Sequence, residues 1–91
     1  MITLSEARQI VERMKDEFDS HDFIQLYACA FPLSYLDTLW EYDGNATTAN
    51  SQIAQHVADM CNELGISKGE DVYSKNIRGN VTPCKLWTKI A

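Results

Sequence analysis

The sequence lacks the features that mark most membrane and exported proteins. None of its apolar runs approaches the roughly 20 residues that a membrane-spanning helix needs. The N-terminus is also not a basic segment followed by an apolar one, as a secretion signal would be. We therefore expect a cytoplasmic protein that does not enter the membrane.

Patterns typical of catalysis and metal binding are missing as well. The four glycines are isolated, so no phosphate-binding loop is present. The two histidines and three cysteines include no C-x-x-C or H-x-x-x-H pair that would place two ligands on one element. His56 and Cys61 are five residues apart on a predicted helix and would face different directions. We expect no enzymatic activity, no metal site and no cofactor.

Length and composition predict one small domain over residues 1–91. A hydrophobic content of 45% supplies one core and leaves no material for a second. Cys29, Cys61 and Cys84 are odd in number and lie in apolar segments, which is typical of reduced thiols in a protein core.

Apolar residues at helical spacing predict helices at about 4–18, 22–30, 34–42 and 50–64. Thr3 and Glu6 form a capping box that starts the first of them. The segment 22–30 is apolar on almost every side, so its periodicity also allows a buried strand.

The segment 50–64 carries the clearest amphipathic pattern. Either Thr48 or Asn50 is suited to cap its start. Gly65 ends it, because glycine readily adopts the left-handed conformation of a helix C-terminus. The outer face contains no Lys or Arg, and the buried face consists of Ile53, Val57, Met60, Cys61 and Leu64.

The C-terminal region, about 72–90, predicts a two-stranded β-ribbon that turns at Gly79. Alternation in the second strand divides its side chains between two faces. We assign the core face to Cys84, Leu86, Thr88 and Ile90, and the outer face to Lys85, Trp87 and Lys89. Pro83 lacks an amide donor, which favours an edge position for this strand, or a bulge at Pro83, over a position in the centre of a sheet.

The expected fold class is therefore α+β and mainly α, with three to four helices followed by a C-terminal β-hairpin. This order is compatible with a winged-helix-like domain. The helix at 50–64 would then take the recognition position and the ribbon would form the wing. Such an analogy of fold is weak support for any particular function.

Charge is distributed unevenly along the chain. Residues 1–66 hold three basic and eleven acidic groups, a net charge of −8, whereas residues 67–91 hold five basic and two acidic groups, a net charge of +3. This asymmetry indicates a basic contact surface on an acidic body. The alternative is that the two halves attract each other within the fold.

The residue types of the ribbon favour a non-enzymatic regulatory or adaptor domain that binds a protein partner or a second copy of itself. Tryptophan beside Lys and Arg is a mixture that dominates many interfaces. The predicted contact surface consists of Lys75, Arg78, Lys85, Trp87 and Lys89. A tryptophan on an edge strand also commonly packs beneath a neighbouring helix or the chain's own N-terminal segment, and that alternative stays open.

The second hypothesis is a DNA-binding protein of the winged-helix-like type. Gln52, Gln55 and His56 would contact base edges, since glutamine suits adenine in the major groove. The cations of the ribbon would contact phosphates. The acidic residues on the same helix weigh against this hypothesis, because they would repel the DNA backbone.

Overall fold

A computed structural model describes residues 1–90, and within them the chain forms five helices and three strands. In chain order these are α1 (Leu4–Arg13), β1 (Glu17–Asp19), α2 (Ser20–Ala30), α3 (Pro32–Glu41), α4 (Ala46–Asp59), α5 (Cys61–Leu64), β2 (Ile66–Lys75) and β3 (Val81–Lys89). The predicted class, α+β and mainly α with a C-terminal hairpin, is confirmed.

Helix α1 begins as predicted and ends earlier. The Thr3 side chain accepts a hydrogen bond from the Glu6 amide, and the Glu6 side chain accepts one from the Thr3 amide, which completes the capping box. The backbone turns extended at Met14. Phe18, predicted to be helical, lies instead in the short strand β1, where it is buried opposite Trp87.

The next two helices begin earlier than predicted. The segment 22–30, for which a buried strand was also possible, lies in helix α2. Asp19 caps this helix by accepting a hydrogen bond from the Asp22 amide at 2.9 Å. Helix α3 starts at Pro32 and not after Ser34, because proline suits the first helical position, where no amide donor is needed.

The predicted helix 50–64 is two helices. Its N-cap is Asn45, whose side chain accepts from the Thr48 amide, and not Thr48 or Asn50 as expected. The helix breaks at Met60, after which the single turn of α5 follows. Gly65 ends α5 with a φ of 68°, as predicted for a glycine that accepts the left-handed conformation.

The three strands form one antiparallel sheet in the order β1-β3-β2. Strand β3 is therefore central, and the prediction that it lies at an edge is wrong. Strand β1 covers β3 only at residues 86–88, however, so Pro83 occupies a part of β3 that lies beyond β1. The hairpin between β2 and β3 turns at Gly79, whose φ is 83°, as predicted.

The core lies between α1, α2, α4 and one face of the sheet. Its largest fully buried side chains are Trp87, Tyr27, Phe23, Ile10, Ile53, Ile66 and Thr38. The predicted faces are wrong at the C-terminal end of β3: Trp87, assigned to the outer face, is 2% exposed, whereas Thr88, assigned to the core face, is exposed. Cys84, Lys85 and Leu86 are half-buried. The prediction of three core thiols is also wrong for Cys29, which is exposed.

Candidate binding groove

A groove of about 540 Å³ separates α4 from the hairpin formed by β2 and β3. This volume is within the range of about 300–1,000 Å³ that is typical of ligand pockets. Helix α4 lines one side with small and polar side chains, among them Asn50, Ser51, Ala54 and Gln55. The hairpin and its turn line the other side, and α2 contributes Ser20 and His21.

The groove is positively charged in a chain whose net charge is −5. Lys68, Arg78 and Lys85 lie in its walls. Within residues 1–90, no aspartate or glutamate belongs to the lining, although the chain has thirteen of them. The basic C-terminal part of the sequence thus contributes its charge to a concave site.

The three cations are held differently. Lys85 Nζ lies 2.7 Å from Asp71 Oδ1, and the hydrogen bond and positive charge of Lys85 lower the pKa of Asp71. Arg78 Nη1 donates to Thr47 Oγ1 at 3.3 Å, which links the hairpin turn to the start of α4. Among the described residues, neither Lys68 nor Arg78 forms a salt bridge. Lys68 lies near enough to Asp71 for its charge also to lower the pKa of that carboxyl, so Arg78 is the cation with least interaction with a carboxylate of the chain itself.

The hairpin turn that carries Arg78 is well organised. The Asn76 side chain accepts from the amides of Arg78 and Asn80, at 2.9 and 3.1 Å. The Asn76 amide also donates to the Asn80 carbonyl oxygen at 2.8 Å. These bonds fix the conformation of the turn and hold the backbone of Arg78 close to the end of the groove.

The five residues of the predicted contact surface do not form one exposed face. Arg78 and Lys85 line the groove, whereas Lys75 and Lys89 lie outside its lining. Lys89 Nζ donates to the carbonyl oxygen of Met14, the C-cap residue of α1, at 2.6 Å. The prediction that Trp87 lies on the outer face is wrong, because its indole is buried in the core at the floor of the groove.

The three residues predicted to contact base edges lie in different surroundings. Gln55 lines the groove, and its Nε2 donates to Asp59 Oδ1 at 3.0 Å. His56 Nδ1 lies 2.9 Å from the carbonyl oxygen of Gln52, one helical turn earlier. Gln52 and His56 are half-buried and lie outside the groove lining. The three side chains therefore do not share one surface.

Three features of the structure were not predicted from the sequence. The first is Lys68, a groove residue that the sequence analysis counted only in the charge of the C-terminal part. The second is a cluster of Asp19, His21 and Cys84, whose ligand atoms all lie within 4.8 Å of one another. Spacing along the sequence gives no signal for this cluster, because β-sheet register brings Cys84 to residues more than sixty positions earlier.

An apolar stripe on α3 is also exposed. Leu33, Leu36 and Trp40 occupy one side of the helix, and the Trp40 side chain is 86% exposed. The sequence predicted a helix here, with a later start, but gave no sign that its large apolar side chains face solvent.

No protein-family model, curated protein or solved structure matches this chain. Among the residues that the structure describes, no helix combines the length and apolar character that crossing a bilayer requires.

Proposed function

We propose that this protein is a non-enzymatic binding domain that takes a short acidic segment of a partner protein into the groove between α4 and the hairpin. One observation carries the proposal. The groove lining contains Lys68, Arg78 and Lys85 and, within the described residues, no Asp or Glu, on a protein whose overall charge is negative. Of the three cations, Lys85 is paired with Asp71, which lies outside the lining, so Lys68 and Arg78 supply most of the charge for a partner. Carboxylates of a partner are the complement of such a site.

The negative charge of the rest of the protein favours a short occupant. Residues 1–66 have a net charge of −8, so a long polyanion would be repelled wherever it left the groove. A segment with only a few acidic residues would meet the cations and end before it reached the acidic body. The negative charge of residues 1–66 therefore favours a peptide over a nucleic-acid duplex.

We expect the partner segment to be recognised by the side chains of the groove and not by pairing with the sheet as an additional strand. Strand β2 is at the edge of the sheet, but a register shift between Lys68 and Asp71 interrupts its ladder and its exposed side chains are mainly charged. Both features oppose pairing with another strand. The part of β3 beyond β1 contains Pro83, which cannot donate a backbone hydrogen bond.

The groove supplies the donors that carboxylates need. Lys68 and Arg78 provide positive charge that is not held in a salt bridge, and Asn50 and Asn80 provide side-chain amides. Arginine can bind a carboxylate through two parallel hydrogen bonds. Binding should weaken as salt is added, because the site is open to solvent.

DNA binding of the winged-helix-like type is the alternative function. It is favoured by the position of Gln55, which lines the same groove as the cations. The separation of Gln55 from Gln52 and His56 counts against reading a duplex from α4.

The test is a fluorescence-anisotropy titration of the protein with a labelled oligo-glutamate peptide and, separately, with a labelled mixed-sequence DNA duplex. We expect salt-sensitive binding of the peptide that is at least about tenfold weaker in the double variant Lys68→Gln with Arg78→Gln. The matched control is Arg13→Gln with Lys15→Gln, which removes the same charge from exposed residues outside the groove.

Equal weakening in both double variants would show that only the net charge matters and would overturn the proposed site. Groove-dependent binding of the duplex, without binding of the peptide, would establish the DNA-binding alternative in its place.

A further inference from the structure

Asp19, His21 and Cys84 come together where β1, α2 and β3 meet. Asp19 is the last residue of β1 and pairs with Leu86 of β3. Cys84 is two residues before Leu86, and side chains two apart in a strand point to the same face of the sheet. Asp19 and Cys84 therefore share a face, and the first turn of α2 brings His21 beside them.

The three side chains converge on one point. Their ligand atoms, which are one carboxylate oxygen, one imidazole nitrogen and Cys84 Sγ, all lie within 4.8 Å of one another. Tetrahedral ligands of zinc are about 3.3–3.7 Å apart when the bonds have their usual lengths. Side-chain movements on the order of 1 Å would therefore suffice to enclose an ion.

This convergence distinguishes the cluster from a nucleophilic Cys-His-Asp relay. In a relay the imidazole lies between the thiol and the carboxylate, with one partner on each ring nitrogen. Two hydrogen bonds on opposite sides of the ring would separate the sulfur from the carboxylate oxygen by roughly 7 Å. The separation here is below 4.8 Å, which is the arrangement of ligands around a common centre.

Neighbouring groups orient the three ligands. His21 Nδ1 lies 2.8 Å from Ser74 Oγ, and its Nε2 lies 3.3 Å from Thr82 Oγ1. Whichever nitrogen binds an ion, the other keeps a hydroxyl partner, as is usual for histidines that bind metals. Asp19 accepts the N-cap hydrogen bond of α2 through Oδ1, which leaves its other oxygen for a ligand bond.

The donor types select the kind of ion. A thiolate and an imidazole favour zinc and its neighbours over magnesium and calcium, which prefer oxygen ligands. Three protein ligands are also the number found in zinc sites that leave a fourth position to water. All three residues are half-buried, so an ion could reach them from solvent.

We propose that Asp19, His21 and Cys84 form a binding site for a divalent cation of the zinc class. His21 and Cys84 also line the groove, so the fourth position of the ion would be close to the proposed peptide site. The metal proposal does not depend on peptide binding, since it rests on the ligand geometry alone.

Titration of the metal-free, reduced protein with Co²⁺ tests the proposal. We expect one equivalent to bind, with the visible bands of tetrahedral cobalt and a thiolate-to-cobalt charge-transfer band in the near ultraviolet. Zn²⁺ should abolish these bands by displacing the cobalt. Cys84→Ser should remove the charge-transfer band, and His21→Ala should weaken binding at least about tenfold.

The chain offers matched controls for each ligand. Cys29→Ser, Cys61→Ser and His56→Ala change the same residue types outside the cluster and should leave the spectrum unchanged. Asp19→Asn keeps a side chain suited to cap α2, so a weaker affinity in this variant would not reflect loss of the helix. Circular dichroism of each variant establishes that it is folded.

The proposal is wrong if folded wild-type protein gives no charge-transfer band, or if that band depends on Cys29 or Cys61. A further check uses thermal unfolding, because an ion that binds only the folded state raises the melting temperature. Zn²⁺ should raise that temperature in the wild-type protein and not in Cys84→Ser.

Discussion

The indole of Trp87 donates a hydrogen bond from Nε1 to Ser20 Oγ at 3.0 Å, in the buried layer between β3 and the start of α2. The same hydroxyl donates to the Lys85 carbonyl oxygen at 3.3 Å. Ser20 thus joins the first turn of α2 to the central strand. A buried indole with a satisfied N–H group is a structural anchor and not a contact for a partner.

The two tryptophans should therefore differ strongly in their effect on stability. We expect Trp87→Ala to lower the free energy of unfolding by about 3–5 kcal/mol, because it leaves a large cavity in the core. Trp40→Ala is the control and should change it by less than about 0.5 kcal/mol, because that side chain is 86% exposed. Urea unfolding followed by circular dichroism measures both, and similar losses in the two variants would contradict the burial of Trp87 in the core.

The ion pair of Lys85 and Asp71 predicts a weak dependence of stability on acidic pH. The lowered pKa of Asp71, caused by the hydrogen bond and charge of Lys85, means that the folded state favours the ionised carboxylate. The contribution of this ion pair to the stability of the folded state is present above the ordinary aspartate pKa. It is lost as pH falls through the lowered pKa of Asp71. The effect should be small, since Asp71 is exposed.

Asp71→Asn should reduce this acid dependence of the melting temperature and leave the neutral-pH value almost unchanged. Added salt should diminish the difference between wild type and variant. A larger acid dependence of the melting temperature in Asp71→Asn than in the wild-type protein would contradict a stabilising ion pair between Asp71 and Lys85.

Two tyrosines should give the opposite dependence at alkaline pH. Burial raises the pKa of Tyr27 and of Tyr35, and the hydroxyls bond to Ser34 and Asn50 respectively. Because the folded state favours the protonated phenols, stability should be retained below the ordinary tyrosine pKa. It should be lost as pH rises through the raised values.

Ultraviolet absorbance during an alkaline titration reports phenolate formation directly. We expect Tyr35→Phe to remove part of the late-ionising signal and to make the melting temperature less sensitive to alkaline pH. If the variant removes only signal that appears at or below the ordinary tyrosine range, the inferred burial of this hydroxyl is contradicted.

Local sequence patterns predicted the elements that depend on local interactions. The capping box at Thr3, the stop at Gly65 and the turn at Gly79 each reflect a preference of one or a few residues, and all three are present. The fold class followed from them, because the order of helices and hairpin is fixed by such signals.

Long-range pairing accounts for the main errors. Strand β1 has three residues, too few for a recognisable alternation, and it exists because Phe18 pairs with Trp87 nearly seventy residues later. That pairing makes β3 central and buries the indole. Alternation alone separates the two faces of a strand without showing which face the core covers.

Long-range packing also explains why the two candidate sites were not predicted from the sequence. Arg78 and Lys85 were predicted as binding residues from composition, whereas their position opposite α4 depends on how the hairpin packs. The cluster of Asp19, His21 and Cys84 depends on the register of β1 against β3. Neither arrangement can be read from spacing along the chain.

The most direct test of the proposed groove is nuclear magnetic resonance of the uniformly ¹⁵N-labelled protein during titration with unlabelled oligo-glutamate peptide. We expect saturable shifts of the backbone amides that are largest at Gln55, Lys68 and Arg78, on the two sides of the groove. Shifts centred instead on Leu33, Leu36 and Trp40 of α3, or an absence of saturable shifts, would contradict the account.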